Sequence, residues 1–223
     1  MTAQPRRKIN AGMTATAAFA TRSGPARAQP PEFAIDLPTP RSEFGSSLAG
    51  APRVRRSRRE FDTARELSAS VLSELLWCAY GVNRPATADR IAPSWRHAHE
   101  TEIFVAMTDG VWRYEPVTHR LLAHLARDIR AETGVQDFVG TAPVDLVYVS
   151  DAEHLGDLTS TERHRAASAD TGFIGQNVYL YCAAEGLVTA FRGSLDARRL
   201  ARTLGLGPTR FATFAQTVGY PAV

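Results

Sequence analysis

Five arginines fall within seven residues, at Arg53, Arg55, Arg56, Arg58 and Arg59, with Ser57 among them. Cations this dense repel one another unless an anion is near. Guanidinium forks and a hydroxyl are donors suited to phosphate. A solvated basic loop or a second targeting signal are the alternatives. Lys8 is the sole lysine, which excludes a Schiff-base or phosphate-loop lysine in the body. Neither G-x-x-x-x-G-K-[ST] nor G-x-G-x-x-G occurs, so a nucleoside triphosphate or Rossmann-bound cofactor is not indicated. His97-x-His99-Glu100 sets two imidazoles at a spacing that shares one strand face and could bind metal. No third ligand of suitable spacing stands nearby, so the expectation is polar contacts and no metal. Cys78 and Cys182 lie in apolar runs and read as small buried hydrophobes rather than a disulfide.

These groups need elements to hold them. Ser68 can cap a helix to Tyr80, ended by Gly81, with Val71, Leu72, Leu75, Leu76 and Ala79 as its apolar stripe. Residues 102–108 and 111–115 flank Asp109-Gly110, a tight-hairpin signal. Residues 121–132 read as a helix, and 144–150 as a central strand. Residues 151–169 read as a polar loop with solvated His154 and His164, able to cover a site. Residues 171–184 carry no charge and read as a buried helix capped by Asp170. A strand at 187–191, a helix from Ser194 to Gly205 and a strand at 211–218 follow. The order is not a regular βαβ alternation, so the fold class is α+β, with a mixed central sheet flanked by helices.

Hydrophobic residues make up 44% and charged residues 22% of the 223-residue chain, as in an ordinary soluble domain. No stretch approaches the roughly 20 apolar residues of a membrane span. The formal charge is +3. Residues 1–28 hold five basic residues (Arg6, Arg7, Lys8, Arg22, Arg27) and no acidic one. Without them the charge is 3 − 5 = −2, so the body is no nucleic-acid binder by charge. A basic start, a short apolar run and Ala26-Arg27-Ala28 make 1–28 an export leader of twin-arginine type, with a disordered tail as the alternative. The location is then periplasmic, and otherwise cytoplasmic. Residues 29–52 read as a Pro/Ser-rich linker or extended arm, and 53–223 as the functional domain.

Arg55-Arg56-Ser57-Arg58-Arg59-Glu60-Phe61 resembles the opening R-x-S-x-[KR]-x-F element of the FMN-dependent nitroreductase family. There the element holds the FMN phosphate and ribityl chain. Residues 72–85 resemble that family's next helix, most closely in the branch of SagB-type dehydrogenases. Pro93, Ser94 and His97 align with a P-S-x-x-N segment that lies along the flavin. Gln176 falls in the helix that packs at the family's dimer interface. Residues 186–196 are similar to a stretch whose glycine, here Gly193, approaches flavin N5. Gly219-Tyr220-Pro221 matches the closing strand.

The resemblance implies an FMN site at a homodimer interface, with Arg55, Arg56, Ser57, Arg59, Pro93, Ser94, His97, Gln176, Arg192 and Gly193 as cofactor contacts. It implies hydride transfer through flavin N5 by a ping-pong mechanism, with NAD(P)H as a possible donor. The catalytic chemistry is the flavin's own; Arg59, then Arg192, are the candidates to hold its N1–C2=O edge. His97 replaces the usual Asn, and Arg192 stands where Glu is common. The other reading is a catalytically weak flavin-binding module, or a partner subunit, of the same fold.

Overall fold

The computed structural model describes residues 33–47 and 49–222; the leader at 1–28 lies outside the described residues. The described residues form one compact unit, and the arm preceding Arg53 packs on it. Strand β1 (Ala34–Asp36) joins the sheet edge, and a short helix α1 (Ala51–Val54) follows. Between them the Arg41 guanidinium bridges Glu74 at 2.6 Å and Glu185 at 2.8 Å. Phe44 sets its ring edge-on to Tyr181 at 5.4 Å.

Helix α2 (Ala69–Tyr80) starts where Ser68 Oγ accepts the Val71 N–H, and Gly81 ends it. Its inner face buries Leu72, Leu75, Leu76 and Ala79. A small hairpin follows, β2 (Val82–Arg84) and β3 (Asp89–Arg90). Asp109-Gly110 then turns β4 (Thr101–Met107) into β5 (Gly110–Glu115).

The expected helix at 121–132 is instead strand β6 (Arg120–Leu125) and a 3-10 turn at Arg130–Glu132. Residues 120–125 have good helix formers, but pairing with β5 on one side and β1 on the other decides the conformation. Strand β7 (Val144–Asp151) is buried along its whole length, as its apolar run predicts for a central strand.

Helix α3 (Ser160–Ala184) is longer than the charge-free run at 171–184. Thr159 and Glu162 form a reciprocal capping box at its start. Asp170 is therefore no cap. It lies inside the helix and accepts the Trp95 N–H at 2.6 Å. The loop read at 151–169 shrinks accordingly. Strand β8 (Val188–Arg192) is followed by α4 (Ala197–Thr203), capped by Asp196 rather than Ser194, and by β9 (Arg210–Gly219).

The seven-stranded sheet has the order β1-β6-β5-β4-β7-β9-β8. Its strands pair antiparallel, and the parallel component is an isolated bridge between Ser57 and Thr189. Alternation along each strand sorts two cores. Ile103, Val105, Leu146 and Tyr148 pack under α2 and α3. Phe104, Ala106, Val147 and Val149 pack with Leu200 and Leu204 on the α4 side. Buried Gln216 ties the layers. Its amide donates to Thr189 Oγ1 at 3.0 Å and Gly175 O at 3.3 Å, and its carbonyl accepts the Tyr148 hydroxyl at 2.8 Å. This is an α+β arrangement. Cys78 and Cys182 are both free. Among the described residues, no helix is long and apolar enough to cross a membrane.

Candidate active site

The arginine segment leaves α1 at Arg55 in extended backbone (φ −52°, ψ 124°) and runs beside β8. The Arg58 N–H donates to Thr189 O at 3.0 Å. Tyr179, five residues before the end of α3, fastens it. Its Oη lies 2.6 Å from Ser57 Oγ and accepts the Phe191 N–H at 2.9 Å, and the Arg55 guanidinium sits 5.1 Å from its ring centroid. Reading residues 171–184 as core missed Tyr179. A phenol placed four residues after Gly175 in an uncharged helix was the available signal, because a buried hydroxyl needs a partner.

Extended chain alternates its side chains. Arg55 and Ser57 meet Tyr179. Arg56 and Arg58 line a cavity of ≈ 240 Å³ that Tyr179, Cys182, Val188 and Pro221 also line. Among the described residues, none of Arg53, Arg55, Arg56, Arg58 and Arg59 forms an ion pair.

Gly193 follows the other end of β8. It lies four residues after Thr189, with a span of about 13 Å in extended chain. It is exposed, and a Cβ on it would meet the Phe214 ring at 3.3 Å. Phe214 stacks on Phe191 with centroids 4.8 Å apart. Phe191 in turn lies so close to α3 that a Cβ on Gly175 would come within 2.5 Å of it. The arginines and Gly193 thus lie along one strand, beside one aromatic pair.

Arg192 is placed differently from its expected role. Strand alternation turns it inward, where it is 4% exposed. Its guanidinium donates to Asp145 Oδ1 at 2.6 Å, to Thr133 Oγ1 at 3.2 Å and to Thr133 O at 3.0 Å. Thr217 also donates to Asp145 at 2.6 Å. Burial pushes the Asp145 carboxyl up to about 6, against the pull of Arg192. A guanidinium committed to this pair is not available to an anionic ring edge, so of the two arginine candidates Arg59 alone is left.

Pro93, Ser94 and His97 lie near the middle of α3. Trp95 is anchored at Asp170, nine helical residues from Tyr179, or about 14 Å along the axis. Within one chain they do not meet Arg55 and Ser57. His97 is exposed and turns toward Asp89, 3.4 Å from its Oδ1, as does His99 at 3.6 Å. Asp89 is the third metal-type donor that the sequence reading did not find. Gln176 is exposed on α3, on the face that carries Gly172 and the half-exposed Phe173.

A family model described as the nitroreductase family matches residues 53–220. The chain belongs to the nitroreductase family. A "putative nitroreductase" of Ralstonia eutropha is 40% identical, with a TM-score of 0.81 over 85% of this chain and 90% of that one. "Putative nitroreductase MJ1384" of Methanocaldococcus jannaschii is 29% identical over 150 residues, 63% of this chain and 75% of that protein. The NADPH:FMN oxidoreductase of Vibrio harveyi shares the fold, with a TM-score of 0.58 and 19% identity over 78% of this chain and 68% of that one. Membership of the nitroreductase family makes this chain an oxidoreductase by class.

Proposed function

We propose that this nitroreductase-family chain is an FMN-dependent oxidoreductase that works by ping-pong turnover as a homodimer. One observation carries the reading. A run of arginines without acidic partners among the described residues is fastened at Tyr179 to the strand that ends at exposed Gly193. Arg55, Ser57 and Arg59 would hold the phosphate, with bidentate guanidinium contacts and one hydroxyl. Arg59 would also face the ring edge that becomes anionic. Bound FMN would supply the chemistry, taking hydride from one substrate, with NAD(P)H as a candidate, and giving it to another. Gly193, without a side chain, leaves the backbone open to the reacting edge. The Arg192–Asp145 pair beneath holds that end of the strand in place.

Sites that bury a ligand of this size enclose roughly 300–1,000 Å³. The ≈ 240 Å³ cavity beside Arg56 and Arg58 falls short of that in one chain. A second copy supports the reading better. The α3 face with Gly172, Phe173 and Gln176 would form the interface, and Pro93 and Ser94 of one copy would serve the ring bound by the other. The leader at 1–28 would direct export.

Purified protein should be yellow, release FMN identified by mass, and be bleached by NAD(P)H under anaerobic conditions and reoxidised by an acceptor. Colourless protein that ignores added FMN would refute the proposal. Bound FMN that no reductant turns over would select the binding-module reading, which the turning of His97 toward Asp89 favours.

A further inference from the structure

Asp89, His97 and His99 converge from a stretch of eleven residues. Their donor atoms all lie within 4.8 Å of one another. Asp89 Oδ1 stands 3.4 Å from His97 Nδ1 and 3.6 Å from His99 Nε2. Those separations are long for direct N–H···O bonds, which cluster at about 2.7–3.2 Å. They match another geometry. Ligands about 2.0–2.1 Å from a tetrahedral zinc ion lie about 3.3 Å from each other.

The surroundings orient each donor toward the common point. Asp89 Oδ2 accepts from Thr87 Oγ1 at 2.8 Å and Arg84 Nε at 3.2 Å, which leaves Oδ1 for the imidazoles. His99 turns its other nitrogen, Nδ1, to Ser94 Oγ at 3.4 Å. Outer partners of this kind fix ring orientation at metal sites. Of the neighbouring cations, Arg84 pairs with the outer oxygen of Asp89, and the other two are engaged elsewhere. Arg90 donates to Ala88 O, and Arg96 lies over the Trp95 ring.

The backbone is consistent with this. Among the described residues, five non-glycine residues have positive φ. Four of them belong to this triangle or adjoin it: His97 and His99 within it, Ala88 and Arg96 beside it. L side chains seldom adopt that region, and such residues concentrate where a ligand over-determines the loop.

We infer that Asp89, His97 and His99 form a binding site for one divalent transition-metal ion of the zinc class, with a fourth position open to solvent. Two imidazoles and one carboxylate suit zinc, and also cobalt(II), which reports its own coordination by colour. The ion would pin the β2–β3 hairpin to the Pro93–His99 loop. A metal-bound His97 is then no ring-edge contact, so this inference stands apart from the flavin reading.

Purified full-length chain is stripped with chelator and titrated with Zn²⁺ and Co²⁺, and flavin content is measured separately. We expect one equivalent of metal per chain, a Co²⁺ ligand-field band displaced by Zn²⁺, and a Zn²⁺-dependent rise in Tm. Asp89→Asn and His99→Ala should abolish all three. Thr87→Val should weaken binding roughly 10-fold. His164→Ala, remote from the cluster, should bind like the parent. Failure of the parent chain to bind a stoichiometric ion, or equal binding by Asp89→Asn and His99→Ala, would overturn the inference, whatever the flavin result.

Discussion

Tyr179 Oη lies 2.6 Å from Ser57 Oγ, which couples the C-terminal part of α3 to the segment that carries the arginines. The same oxygen accepts the Phe191 N–H from β8. Tyr179→Phe keeps the ring under Arg55 but strips both polar contacts. Stability should fall by about 1–3 kcal/mol, since partly buried partners are left unmatched. Flavin affinity should fall with it, because Ser57 loses its anchor. Chemical denaturation and a flavin titration of the same variant measure the two effects.

The Arg192–Asp145 pair calls for a different test. Its side chains are 2% and 0% exposed. Asp145→Ala leaves a buried guanidinium without a counter-charge and should cost about 3–5 kcal/mol. Replacing both residues, Asp145→Leu with Arg192→Met, should recover much of that loss, as buried ion pairs exchanged for apolar groups often do. Urea unfolding of the single and double variants decides the point. A double variant no more stable than Asp145→Ala would contradict it.

Glu100 should make stability depend on pH. It is 1% exposed, and burial, then the neighbouring Asp170 charge, push its carboxyl up to about 6. Its Oε2 has no hydrogen-bond partner. The folded value lies above the unfolded one of 4.5, so the folded chain binds the extra proton between those values. The contribution is fully present below about pH 4.5 and is lost as pH rises through about 6, on the order of 2 kcal/mol. Glu100→Gln should flatten the slope of Tm across that window and raise Tm relative to the parent at pH 7. A pH series of thermal melts shows it.

Much of the scaffold was legible because local signals agreed with packing. Ser68 starts α2, Asp109-Gly110 turns the β4–β5 hairpin, and the apolar run at Val144 gives the central strand. Residues 120–125 misled because Arg120, the leucines and Ala123 favour a helix, whereas two flanking strands, one of them from the arm, set the outcome. The first half of α3 was hidden by its solvent-facing polar residues, although Thr159 and Glu162 carried a capping signal. At the candidate site, the order of Arg55, Ser57 and Gly193 along the chain agrees with their placement beside and after β8. Arg192 was not, because only the strand's alternation turns it inward to Asp145. Asp89 escaped because a hairpin, not sequence spacing, brings it to His97 and His99.

The central claim is that Arg55, Ser57 and Arg59 clamp a phosphate beside β8. The most direct measurement is equilibrium binding of FMN and of riboflavin, which lacks the phosphate, to flavin-free protein and to Arg55→Ala/Arg59→Ala. We predict that the parent binds FMN at least about 10-fold more tightly than riboflavin, which is about 1.4 kcal/mol, that the preference falls as salt is raised, and that it disappears in the double variant. Equal affinity of the parent for both ligands, or an undiminished preference in the variant, would contradict the account.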